Sequence, residues 1–241
     1  MELQDSRRLT GLNLLSGKAG AVADLAIGAG ESADDAVATW SAALDDLFAA
    51  LGCPPQERWV RRWDGGVTLL VDAPLDALYA ATEINEWAIA KARGEAVALE
   101  AVVEAVQASI GEERNPELVA LQSAAHERGV PFVWDDDLVS VGMGCHSQTW
   151  PTANLPTSQE LDWSSVRSIP TAYITGTNGK TTSTRMVTRI LQAAGMTPGC
   201  TSSDGVVVNG VEVERGDWTG PGAARRVLRH EDVDVAVLET A

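Results

Sequence analysis

The sequence predicts an α+β N-terminal domain followed by the start of an α/β phosphate-loop domain. Three observations carry that expectation. Helical and strand patterns follow one another without strict alternation up to about residue 150. Residues 151–170 are rich in proline and serine and read as a linker. From Thr171 a short apolar segment runs into Gly176-Thr-Asn-Gly-Lys-Thr-Thr182 and then into a helical pattern. The expected domains are therefore 1–150 and 171–241, with 151–170 between them.

In the first domain, Ser6 to Leu15 and Ala21 to Ile27 read as extended segments around a turn. Ser32 to Leu51 is a helix, because Val37, Trp40, Leu44, Leu47, Phe48 and Leu51 recur at spacings of three and four. Ser32 caps it, Asp34 and Asp35 suit its first turn, and Gly52 with Pro54-Pro55 ends it. Trp59 to Trp63 and Gly66 to Val71 read as strands. A second helix opens at Pro74 and runs to Arg93, with Leu75, Leu78, Tyr79 and Trp87 as core contacts. Leu99, Val102, Val103, Val106 and Ile110 mark a third, and Asn115-Pro116 opens a fourth that runs to Arg128. Val130 to Trp134 and Leu138 to Val141 are strands around Asp135-Asp-Asp137, which is expected to be a solvated turn rather than a metal site. The domain is expected to end near Ser147.

In the second domain, Thr171 to Ile174 reads as a short buried strand and Lys180 to Ala194 as a helix burying Met186, Val187, Ile190, Leu191 and Ala194. Val206 to Val208 and Val211 to Val213 flank Asn209-Gly210, the signature of a two-residue hairpin turn. Gly220-Pro221 opens a helix through Leu228, and Val233 to Leu238 is a buried strand delivering Glu239 at its carboxyl end.

The loop between Ile174 and Lys180 carries the chemistry. Gly176 and Gly179 permit a backbone that side chains disfavour, and the helix after them presents unpaired N–H groups and a positive dipole end to an anion. Lys180 reaches the outer phosphates of a nucleotide, and the Thr181 hydroxyl suits Mg²⁺. The general phosphate-loop spacing needs glycine at position 174, where isoleucine stands, so this loop is the shorter form. Ligands in open α/β sheets sit at the carboxyl ends of strands, so Glu239 is expected to face the same nucleotide and to hold Mg²⁺ opposite Thr181.

The chain of 241 residues carries a net charge of −16, which argues against nucleic acid or an anionic membrane as partner. Its hydrophobic content of 45% supports packed cores. No run of about 18 apolar residues suggests a membrane span, and the acidic first residues do not resemble a signal peptide. Cys53, Cys145 and Cys200 are far apart, which fits reduced thiols and a cytoplasmic location. Cys145-His146 lacks the neighbours that a metal or catalytic pair needs.

The short loop resembles the ATP-binding loop of the Mur ligase family. From Thr171 onward the chain is most similar to the Mur-ligase-like part of the cyanophycin synthetases. The residues concerned are Thr175 to Thr182, Thr201-Ser-Ser-Asp-Gly205, Gly216-Asp-Trp-Thr-Gly-Pro221 and Val237-Leu-Glu-Thr-Ala241. Arg8 to Asn13, Arg128 to Pro131 and Leu138 to Gly144 carry a weaker likeness to the N-terminal domain of the same enzymes.

The resemblance implies a Mur ligase central domain and an ATP-dependent acid–amino-acid ligase. That reaction forms an amide through an acyl phosphate. Lys180 is the implied catalytic residue. Gly176, Thr177, Asn178, Gly179, Lys180, Thr181 and Thr182 are the implied ATP contacts. Thr181 and Glu239 are the implied Mg²⁺ ligands, with Thr201 or Ser202 beside a second ion. The implied partners are ATP, a carboxylate substrate such as an aspartyl polymer or peptide, and an amino acid. A homo-oligomer is compatible with this.

Two departures bear on the inference. The resemblance implies an ATP-grasp domain between the two parts, where only residues 151–170 stand. It also implies further strands and a C-terminal domain beyond Ala241, so a longer protein is expected. Two other functions compete: a non-catalytic ATP- or polymer-binding module, and an unrelated nucleotide kinase or hydrolase.

Overall fold

A computed structural model describes residues 1–240. The chain divides into two compact units, residues 1–119 and 120–241.

The first unit is a four-stranded antiparallel sheet with helices packed on it. Its strands are β1 (Glu2–Leu9), β2 (Gly20–Ala26), β3 (Arg58–Trp63) and β4 (Gly66–Asp72), in the order β1-β2-β4-β3. Alternation along β2 and β4 sends Ala21, Ala23, Leu25, Val67, Leu69 and Val71 into the core. Opposite them lie α1 (Ala33–Leu51), α2 (Leu78–Ala92) and α3 (Leu99–Glu113). The Ser32 hydroxyl accepts the Asp35 N–H and caps α1 as expected, and Gly52 closes it.

Asn85 organises the centre of this core. It is fully buried, accepts a hydrogen bond from Trp40 Nε1 at 2.8 Å, and donates to the carbonyls of Ala21 and Leu69. The helix expected from Pro74 is broken: residues 75–77 form one tight turn, Asp76 leaves helical geometry, and α2 starts at Leu78. That break turns Tyr79 outward. It is exposed under the Arg8 guanidinium rather than in the core, whereas Leu75, Leu78 and Trp87 are buried.

Helix α4 (Pro116–Glu127) spans the division between the units. The second unit contains a three-stranded antiparallel sheet of β5 (Phe132–Trp134), β6 (Leu138–Val141) and β7 (Gln148–Pro151). The sequence pattern places this sheet at the end of the first domain. Its hydrogen bonds run instead to residues later in the chain: the Cys145 N–H donates to the Val233 carbonyl at 2.7 Å, and the Met143 N–H to the Arg167 carbonyl at 2.9 Å. The segment expected to be a linker is packed as well, with Leu161, Val166 and Ile169 buried. Proline and serine there mark turns within a folded unit, and composition alone does not distinguish the two.

Asp135 turns out to be a structural anchor. The Arg229 guanidinium is paired to it and also donates to Ser140 Oγ at 2.9 Å and the Leu138 carbonyl at 2.8 Å. Burial pushes the Asp135 carboxyl up, but Arg229 and the N–H groups of Leu138 and Asp137 outweigh it and hold the group below the usual carboxylate range.

The larger sheet of this unit has the order β11-β10-β9-β12-β8. Its strands are β8 (Thr171–Ile174), β9 (Pro198–Ser202), β10 (Gly205–Val208), β11 (Val211–Arg215) and β12 (Val235–Glu239). Strands β8, β12 and β9 run parallel, and β10 and β11 add antiparallel. Asn209 and Gly210 both take positive φ, as the predicted turn requires. Helix α6 (Pro221–Leu228) packs on the face bearing Val206, Ala236 and Leu238.

Helix α5 (Lys180–Ala193) lies on the opposite face, where the Thr188 hydroxyl meets Cys200. Its buried residues are Thr184 and Thr188, while Met186 and Ile190 are exposed, contrary to expectation. The helix carries apolar residues on more than one face, and its sheet-facing side is the one with threonines. Strand β8 is an edge strand, so Tyr173 is exposed rather than buried.

Candidate functional site

The glycine loop leaves β8 at Ile174 and enters α5 at Lys180. Gly176 (φ 144°) and Gly179 (φ 79°) both hold positive φ, which explains glycine at each. The α5 N-terminus therefore opens directly onto the loop. The Lys180 ammonium donates to the Gly176 carbonyl at 2.9 Å, folding the lysine back over the loop.

Register brings the second strand to the same place. Glu239 pairs with Ile174 across β12 and β8, and the Thr240 N–H donates to the Ile174 carbonyl at 2.9 Å. Alternation along β12 points Ala236 and Leu238 toward α6 and Glu239 toward α5. Thr181 Oγ1 then donates to Glu239 Oε1 at 3.2 Å and meets Ser203 Oγ at 3.1 Å. Glu239 is only 4% exposed, and its Oε2 is buried without a hydrogen-bond partner. The expected motif extends to Ala241, which lies outside the described residues.

These groups line a cavity of about 420 Å³ together with Thr177, Asn178, Thr182, Asp217 and Thr219. Of the sequence-predicted residues, Thr177 to Thr182 and Glu239 meet there, and Gly176 contributes through its carbonyl to Lys180. Thr201 does not join them. It is buried in β9 beside Leu238, and alternation places it on the α6 side, away from the loop. Ser202 is buried too, and its hydroxyl accepts the Asp204 N–H. Ser203, one residue beyond the strand, takes the position that sequence reasoning gave to Thr201 or Ser202.

Asp217 and Thr219 line the cavity too, and neither is among the residues expected there. Both lie in the Gly216 to Pro221 motif, and Thr219 Oγ1 donates to Asp217 at 2.9 Å. Their polar character in the loop before α6 was the available signal. Among the described residues there is no cluster of three or more His, Cys, Asp and Glu suited to a metal. One orphaned carboxylate oxygen beside a hydroxyl is instead the sparse oxygen set that suits Mg²⁺ bound together with phosphates.

Comparison with curated proteins finds a stretch of 73 residues that is 52% identical to the cyanophycin synthetase of Synechocystis sp.. It is 49% identical over 73 residues to those of Crocosphaera subtropica and Geminocystis herdmanii. Over that stretch the chain is cyanophycin-synthetase-like. The matched stretch is 30% of this chain and spans only 8% of each of those cyanophycin synthetases. No family model matches the chain. No helix among the described residues is long and apolar enough to cross a membrane.

Proposed function

We propose that this chain carries the nucleotide-binding part of an ATP-dependent ligase that joins a carboxylate to an amine, in the manner of a cyanophycin-synthetase-like or Mur-type ligase. The observation that carries the proposal is the buried Oε2 of Glu239, left without a partner beside Thr181 at the mouth of a glycine loop.

In this reading the N–H groups of residues 176–179 and of the α5 first turn receive phosphate oxygens. Lys180 exchanges the Gly176 carbonyl for the outer phosphate and offsets its charge. Thr182 sits toward the α-phosphate. Thr181 and Glu239 hold Mg²⁺, with Ser203 in place of Thr201 as the nearest further hydroxyl. When bound, that ion neutralises phosphate charge and orients the transferred group. The residues do positioning and charge work, leaving the substrate carboxylate to accept the phosphoryl group and the amine to displace it. The carboxylate and the amino acid are the proposed partners, and the cytoplasm is the proposed location.

Calorimetry with Mg-ATP tests this. The parent chain is expected to bind, and Lys180→Ala to lose binding. Undiminished heat from the variant would refute the site. Incubation with ATP, an aspartyl peptide as carboxylate and a panel of amines then separates ligation from hydrolysis: an amide product supports the ligase, and only ADP and phosphate with every amine refutes it.

A further inference from the structure

Asp217 lines the same cavity as Lys180, Thr181 and Glu239, and it is exposed. Backbone bonds on both sides fix its place. The Gly216 N–H donates to the Asp204 carbonyl and the Trp218 N–H to the Ser202 carbonyl, each at 3.1 Å. The residues flanking Asp217 are thus bonded to the residues flanking Ser203, whose hydroxyl meets Thr181. Trp218 is pinned in turn: its Nε1 donates to the Arg215 carbonyl, and the Arg226 guanidinium, paired to Glu214, lies over its ring.

The Asp217 carboxylate is oriented but not neutralised. Its Oδ1 accepts the Thr219 hydroxyl at 2.9 Å, and it makes no ion pair among the described residues. Lys180 is the one cation lining the cavity among the described residues, and its ammonium is turned to the Gly176 carbonyl. A nucleotide at the glycine loop adds negative charge here, so a bare carboxylate beside it is repelled unless a cation stands between them. Mg²⁺ is drawn to the buried, unpartnered oxygen of Glu239 beside Thr181. Asp217 has one hydroxyl beside it and belongs to no cluster of three or more metal-ligating side chains among the described residues. That setting suits a single positive charge that brings its own hydrogen-bond donors.

We propose that Asp217 recognises the incoming amine in its ammonium form, an inference that rests on the ligase reading above. The amino group of an amino acid is largely protonated at neutral pH, with a pKa of about 8. Asp217 gathers it at the part of the cavity where Ser203 meets Thr181. Once the substrate carboxylate is phosphorylated, the ammonium gives one proton to water. Its nitrogen then bonds to the acyl carbon as the bond from that carbon to the phosphate oxygen breaks. The phosphate leaves with the bonding pair, and the new amide nitrogen sheds its extra proton to water. Asp217 keeps its charge throughout and acts by holding the amine in place.

Hydroxylamine separates recognition from chemistry, because it is an uncharged amine at neutral pH and attacks an acyl phosphate directly. The 241-residue chain is incubated with Mg-ATP, an aspartyl peptide and hydroxylamine, and the hydroxamate is measured. Glycinamide, a cationic amine, should inhibit competitively against hydroxylamine, whereas glycolamide, its uncharged counterpart, should not. Asp217→Asn keeps an oxygen for Thr219 and should weaken inhibition by glycinamide about tenfold. Asp217→Glu should restore part of it.

Equal inhibition by glycolamide, or undiminished inhibition by glycinamide in Asp217→Asn, would overturn this inference and leave the ligase reading standing. So would an Asp217→Asn variant that loses the Mg-ATP thermal shift or needs more Mg²⁺ for half-maximal rate, which would make Asp217 a metal-holding group. No hydroxamate from the parent would refute the ligase reading itself, and this inference with it.

Discussion

Replacing Glu239 by methionine separates the two roles that its carboxylate holds. The substitution keeps length and removes both oxygens. In the ligand-free chain it abolishes an orphaned buried acceptor, a gain of about 1–3 kcal/mol, and a hydrogen bond from Thr181 to a charged group, a loss of about 1.5–3 kcal/mol. The two nearly cancel, so the ligand-free Tm should move by no more than about 3 °C.

With Mg-ATP the balance differs. At a hundredfold excess over Kd the parent gains about 2.7 kcal/mol, or roughly 5–11 °C at this chain length. A hundredfold loss of affinity in the variant brings the same concentration to Kd. The gain then falls to about 0.4 kcal/mol, or roughly 1 °C. Differential scanning fluorimetry with and without Mg-ATP reads both quantities. A variant that keeps the full ligand-induced shift would refute Glu239 as a metal-holding group. One that loses more than about 6 °C without ligand would show that the carboxylate is a structural anchor instead.

Two further predictions concern stability. Asn85→Ala leaves the buried Trp40 N–H without an acceptor and strips two carbonyls of their donor, so it should cost about 2–4 kcal/mol in urea denaturation; a loss below about 1 kcal/mol would contradict the bonding described. Asp135 has a depressed pKa in the folded chain, so the unfolded chain takes up its proton first as the pH falls. Its contribution is present above the unfolded value of about 4 and is lost as pH drops through the lower folded value. Arg229→Met should cost about 2–3 kcal/mol at pH 7 and flatten that acid dependence, measured as chemical denaturation at stepped pH.

The elements whose limits are set locally were legible in the sequence. Ser32, the apolar spacing from Val37 to Leu51, and Gly52 defined α1 without help from the rest of the chain. Asn209-Gly210 did the same for its hairpin, and Gly176 and Gly179 marked the loop before α5, where both take positive φ.

What stayed hidden depends on partners distant in sequence. The anchor of Asp135 is Arg229, 94 residues away, so the acidic turn looked merely solvated. Helix α5 has apolar residues on two sides, and only the position of the sheet decides that Thr184 and Thr188 go inside. The resemblance puts Thr201 or Ser202 beside a second ion, but pairing with Leu238 fixes the face that Thr201 occupies. The bonds from Met143 to Arg167 and from Cys145 to Val233 tie the segment after β6 to residues later in the chain, which composition does not reveal.

The strand that carries the glycine loop is the rim of its sheet, paired to β12 from Thr171 through Ile174. Local opening at that rim breaks a single ladder, and the same event separates the loop from Glu239. On the proposed function, nucleotide occupancy and rim closure are one equilibrium viewed from two ends. Amide exchange should show it, with the β8 protons protected in proportion to bound ligand while those inside β9 barely respond.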